Sequence, residues 1–187
     1  MRHKPRSGQS KVTPYNEGGF ALVELSIALA VLGVIVAAAL SIFFDEAQTA
    51  RANRQGELLK SYTGALFTYQ TVHYQRLLTT SPTTPAGTIN GVNLANIFAP
   101  SFANLVALGL IPGGANNANL YEGGYVFNVN KLPANCNQLS PVCELVGIVA
   151  LSNSIVDWSG NINYARAGQI AVAAGDAGTT TLGATGT

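Results

Sequence analysis

From Phe20 to Phe44 the chain reads FALVELSIALAVLGVIVAAALSIFF, 25 residues in which Glu24 is the one ionisable side chain. As a helix rising about 1.5 Å per residue, the run spans roughly 37 Å, enough to cross a hydrocarbon core of about 30 Å. It holds no proline and is rich in alanine and leucine, so helix is its natural conformation. The flanking charges orient it. Residues 1–19 carry Arg2, Lys4, Arg6 and Lys11 against Glu17, a net +3, and Asp45 and Glu46 follow directly after the run. The positive-inside tendency therefore predicts a cytoplasmic N-terminus and an exterior body from Asp45 onward. That body is sparsely charged: only 10% of the 187 residues are charged, with a formal net charge of +1 for the whole chain. Such a balance excludes nucleic-acid binding by bulk electrostatics and an acidic disordered tail.

Three readings fit an apolar run so placed. One is a plain single-pass anchor. Another is a secretory signal peptide, with an apolar stretch from Leu25 to Val36 and Ala37-Ala38-Ala39 as a small-residue cleavage site. The third turns on Glu24. A carboxylate at the bilayer centre costs about 2.5–3.5 kcal/mol or more, and intramembrane carboxylates normally have a partner. Glu24 lies one helical turn past Phe20, and no Lys, Arg or His occurs between Phe20 and Phe44. Cleavage between Gly19 and Phe20 would create a positive α-amine, and the amine of a neighbouring copy could neutralise Glu24 inside an apolar bundle. A carboxylate near a helix N-terminus also suits the helix dipole.

Gly19-Phe20-Ala21-Leu22-Val23-Glu24-Leu25, followed by some twenty apolar residues, resembles the type IV prepilin N-terminus. The resemblance implies that a prepilin peptidase cuts Gly19–Phe20 and methylates the amine of Phe20. It also implies that Glu24 is the assembly carboxylate. The implied partners are further copies of the chain in a helical filament, the peptidase, an assembly platform in the inner membrane, and membrane lipid before assembly. The implied location is the inner membrane for the precursor, then an extracellular pilus. The 19-residue leader is similar to that of type IVb pilins, although a phenylalanine start is more usual in type IVa. Many members carry a proline halfway along this helix; here Ala39-Leu40-Ser41-Ile42 has none, and Gly33 is the weak point. A type II secretion pseudopilin shares every N-terminal feature. A secreted or anchored binding module is the rival from another class.

Beyond the run, Ala47, Ala50, Arg54, Leu58, Tyr62, Ala65 or Leu66, Tyr69 and Val72 recur at spacings of three and four, the stripe of an amphipathic helix. The spacing predicts one helix from about Phe20 to about Leu77, with Tyr62, Tyr69 and Tyr74 as core residues and Gly56 and Gly64 as weak points. Three segments follow from these boundaries: a leader over 1–19, a membrane or filament-core helix over 20–44, and a head over 45–187. Thr79 to Gly87 is turn-rich and opens a loop reaching about Ala99. Ser101 caps a short predicted helix that ends at Gly109. Leu105–Pro112 resembles a Leu-x-x-x-Gly-x-x-Pro element of type IVb-like pilins, and reads equally well as helix punctuation. Strands are predicted at Tyr125–Val129, Glu144–Leu151, Ile155–Trp158, Ile162–Ala165 and Gln169–Ala173, with a hairpin at Ser159-Gly160-Asn161. The sum is an α+β fold, a long helix packed on a small antiparallel sheet. A mobile tail is expected over Gly175–Thr187.

Cys136 and Cys143 flank a short loop containing Pro141, and in an exported body they are expected to form a disulfide. The spacing is not that of a redox Cys-x-x-Cys pair, and His73 and His3 lie too far away in sequence to complete a zinc site. No nucleophile elbow, phosphate-binding loop or zinc-protease motif occurs. No enzyme activity, cofactor or metal is expected.

Overall fold

The computed structural model describes residues 18–134, 136–137, 139–140 and 142–175, with the backbone alone for 18–21. The chain separates into two compact units, Met1–Glu46 and Ala47–Thr187. The longest element, α1, is Gly18–Val72. Its part in the first unit is long and apolar enough to cross a membrane. Leu22, Val34, Phe43 and Phe44 are each about two-thirds exposed or more. Among the described residues of this unit nothing covers the apolar surface, so lipid or other apolar chains must do so.

The second unit is α+β. Its part of α1 is followed by α2 (Tyr74–Thr79), a hairpin of β1 (Gly87–Ile89) and β2 (Val92–Leu94), and α3 (Phe102–Ala107). Then come β3 (Tyr125–Leu132), β4 (Glu144–Leu151) and α4 (Tyr164–Ala174). β3 and β4 pair antiparallel, from Tyr125 opposite Leu151 to Leu132 opposite Glu144. On β3 alternate residues point inward, placing Tyr125, Phe127 and Val129 over the aromatic face of α1. Tyr62 meets Tyr125 edge-to-face at 4.7 Å between ring centroids and Phe102 at 5.5 Å. Tyr69 is fully buried and donates its hydroxyl to the Ile97 carbonyl at 2.8 Å, while burial pushes its ionisation far above the usual range. A second apolar cluster joins Ala52 of α1 to Ile155 and to Ile170 of α4.

The buried stripe of α1 is rotated from the expected one. Ala47, Ala50, Arg54 and Val72 are exposed, and the buried face runs through Ala52, Gln55, Gly56, Tyr62, Ala65, Leu66, Tyr69 and Gln70. Gln55 takes a core position because its amide is bonded at both ends: Nε2 donates to Tyr125 Oη and Oε1 accepts from Leu120 N, both at 2.9 Å. Tyr74 is exposed rather than core, and donates to the Cys143 carbonyl at 3.3 Å. The helix does not run unbroken to Leu77. His73 departs from helical geometry (φ −106°, ψ 17°), although Leu77 N still donates to the His73 carbonyl at 2.9 Å.

Three further expectations change. The predicted strand Gln169–Ala173 is part of α4, capped by Asn163, whose side chain accepts from Arg166 N at 3.0 Å. Ile155–Trp158 and Ile162–Ala165 reduce to the single bridge Val156–Ile162 around the expected turn. The loop expected up to Ala99 contains the β1–β2 hairpin, whose turn residues Asn90 and Gly91 have φ of 47° and 80°. The short helix is as expected, with reciprocal Ser101–Asn104 bonds at its start and Gly109 at φ 74° past its end. Residues 1–17 of the leader and all but the first residue of the expected mobile tail lie outside the described residues.

Candidate functional site

The backbone is already helical at Gly18, Gly19 and Phe20, so the bond expected to be cut lies at the beginning of α1. Glu24 follows Phe20 by one turn and is exposed. Helical hydrogen bonding satisfies the backbone of the apolar run, leaving its polar side chains as the outstanding groups. Ser26 donates to the Val23 carbonyl and Ser41 to the Ala38 carbonyl, each at 2.8 Å, so both hydroxyls are satisfied within their own helix. Glu24 has no cationic side chain in the run to pair with. Chemically, this surface needs an apolar environment along its length and one positive group near its start.

The head holds a different kind of site. Cys136 and Cys143 form a disulfide with 5.4 Å between Cα atoms, closing the β3–β4 connection. Beneath it, Lys131 points inward from β3 and is buried. Its Nζ donates to the carbonyls of Leu78 at 2.9 Å, Thr80 at 3.0 Å and Cys136 at 3.4 Å, and lies 5.4 Å from the Phe98 ring centroid. Desolvation lowers the Lys131 pKa below that of a free lysine. The ammonium thus caps the end of α2 and braces the disulfide loop. Sequence reasoning overlooked Lys131; the signal was its place in the inward register of β3, four residues after Phe127. Loss of the disulfide by Cys136→Ser with Cys143→Ser is expected to cost about 2–3 kcal/mol of head stability by the loop-entropy relation, read as a lower urea midpoint.

His73 is half-buried against the Tyr69 ring at 5.2 Å, and burial lowers its pKa. It marks the α1–α2 break.

No curated protein and no solved structure shows a significant match to the chain. Residues 15–40, which hold Gly19, Phe20 and Glu24, match the family model described as the prokaryotic N-terminal methylation motif. This is the leader motif of type IV prepilins, and it supports a protein of the type IV pilin or pseudopilin class.

Proposed function

We propose that the chain is the precursor of a pilus subunit, of a type IVb-like kind. A prepilin peptidase removes residues 1–19, Phe20 becomes the N-methylated first residue, and the mature subunit polymerises through its apolar helix. The observation that carries this reading is the methylation motif in register with a bare apolar helix whose two serines are satisfied and whose glutamate has no cationic side chain in the run to pair with. In lipid the helix surface is covered by acyl chains. In a filament the same surface meets copies of itself, so transfer between the two exchanges one apolar environment for another. Leader removal supplies the α-amine that pairs with Glu24 of an adjacent copy. The role is structural, and the motif speaks for a filament subunit rather than an enzyme.

Mass spectrometry of the mature protein tests this, and is expected to find a chain starting at methylated Phe20. A start near Leu40 would identify a signal peptide, and an intact Met1 a plain anchor. Gly19→Leu is expected to leave nearly all of the protein as unprocessed precursor in the membrane, visible as a shift in gel mobility of about 2 kDa for nineteen residues. Recovery of the chain in fibres sheared from cells distinguishes a pilus subunit from a pseudopilin.

A further inference from the structure

β4 pairs with β3 on one side, and among the described residues no strand pairs with it on the other. Ser152 N donates to the Gly124 carbonyl at 2.9 Å, one position beyond the pair of Tyr125 and Leu151. Antiparallel alternation from that bond turns the main-chain groups of Val146, Ile148 and Ala150 toward β3, and those of Leu145, Gly147 and Val149 toward the open edge. The same alternation turns Val129, opposite Gly147, away from β4, and Val129 N donates to the Phe98 carbonyl at 2.7 Å. Beside the open edge, a groove of about 240 Å³ separates residues 144–147 of β4 from Thr63, Phe67 and Gln70 of α1. Phe67 is 68% exposed there. Gln70 is only 8% exposed, yet its buried Nε2 has no hydrogen-bond partner. A buried donor of this kind calls for an acceptor.

α4 ends pointing along α1 toward this groove. Arg166 Nη1 donates to Thr49 Oγ1 at 3.1 Å, a sequence separation of 117, and Ala173 lies against Gly56 at the same separation. α4 therefore runs parallel to α1. Thr49, Gly56, Thr63 and Gln70 follow one another at intervals of seven residues, close to two helical turns, so they form one line along α1. α4 covers the first two, and the last two line the groove. β4 runs the opposite way, because Gly147 lies against the Gln70 amide while Leu151 packs on the Ala52–Ile155–Ile170 cluster. A segment leaving α4 in the direction of Gln70 is thus antiparallel to β4. Thr179, Thr180, Thr181 and Leu182 follow Gly175 by four to seven residues, about 13–23 Å of extended chain. Gly56 and Gln70 are about 21 Å apart along α1, so these four residues come level with the groove. Three of them are β-branched, which favours a strand.

We propose that residues 179–182 add to the open edge of β4 as an antiparallel third strand, covering Phe67 and supplying an acceptor to Gln70 Nε2. That acceptor is a main-chain carbonyl or a threonine hydroxyl of the added segment. The test is amide hydrogen exchange, resolved residue by residue by nuclear magnetic resonance, on three proteins in detergent. They are the full chain, a chain lacking residues 176–187, and the double variant Thr180→Pro with Thr181→Pro. Adjacent N–H groups of a strand point to opposite sides, so one of the two prolines must remove a ladder donor. In the full chain, amides among residues 179–182 are expected to exchange at least about tenfold more slowly than in an unstructured peptide. Leu145 and Gly147 are expected to exchange at least about tenfold faster in both variants, while Val146 and Ile148, bonded to β3, keep their rates. Unstructured rates over residues 179–182 of the full chain would overturn the proposal by themselves. So would equal rates at Leu145 and Gly147 in all three proteins, whether fast, with the edge open, or slow until dilution, with a second copy seated on it.

Discussion

Glu24→Ala is expected to be processed, methylated and retained in the membrane, and to yield no filaments. The proposed cleavage at Gly19–Phe20 lies one turn away, and alanine makes the apolar run more favourable in lipid, so neither step loses anything. The proposed assembly loses its one specific electrostatic contact. Within an apolar bundle the α-amine of each mature Phe20 would be left without its counter-charge, and breaking a buried pair by removing one partner costs about 3–5 kcal/mol. Repeated at every subunit, that cost should reduce sheared fibres by well over tenfold, on the order of the ratio one such penalty sets. The measurement is the amount of subunit in the sheared fraction relative to the membrane fraction. Normal fibre yield from this variant would show that the carboxylate is not what joins the subunits, even if cleavage at Gly19 stands.

The second large effect concerns Gly56, where α1 and α4 come close enough to exclude a side chain. A Cβ at Gly56 would lie 2.5 Å from Ala173 Cβ, 2.7 Å from the Ile170 carbonyl oxygen and 2.8 Å from Ala174 N. Two of those three atoms are backbone and cannot step aside by changing rotamer. Gly56→Val is therefore expected to cost at least about 2–3 kcal/mol and to loosen α4 from the Ala52–Ile155–Ile170 cluster. Gly64 is the internal control, since a Cβ there meets nothing within 4 Å. Gly64→Ala should instead stabilise the helix, by up to about 1 kcal/mol. Thermal melts of the full chain in detergent should move in opposite directions for the two variants. Equal and small shifts would mean that α4 does not pack on α1 at Gly56.

These two glycines also show where the sequence was legible and where it was not. Both read as weak points of a helix, because intrinsic propensity is a local property and both lie in one continuous pattern. Only the tertiary contact separates them, and no periodicity in α1 announces what crosses it. The apolar run, the β3–β4 pair and the Ser101-capped helix were legible because their signals are local: an uninterrupted apolar stretch, β-branched alternation, and a cap three residues before Asn104. α4 was misread because Gln169–Ala173 contains the β-branched pair Ile170 and Val172, side chains favoured in strands. The wider pattern, with Asn163 as cap and Ala167, Ile170 and Ala174 at spacings of three and four, is helical. The Asn90-Gly91 pair was a strong hairpin signal that the surrounding Thr, Pro and Gly residues obscured. Gln55 was hidden for another reason. A glutamine enters a core only when partners are waiting, and Tyr125 and Leu120 are 65 or more residues away. The methylation motif depended on register alone, glycine before an aromatic and a glutamate four residues on, which a linear chain displays in full.

The Lys131 brace has a consequence for how the surface of such a molecule can diversify. Its three carbonyl contacts are to main chain, so they impose no side-chain identity on Leu78, Thr80 or Cys136. Above it, Leu139 and Val142 project almost freely from the disulfide-closed loop. The loop is fastened through its backbone, its cysteines and the side chains of Asn137 and Ser140, which accept from Leu139 N at 2.9 Å and from Asn137 N at 3.0 Å. Substitutions at Leu139 and Val142 can therefore accumulate without disturbing the scaffold that the disulfide and Lys131 hold in place.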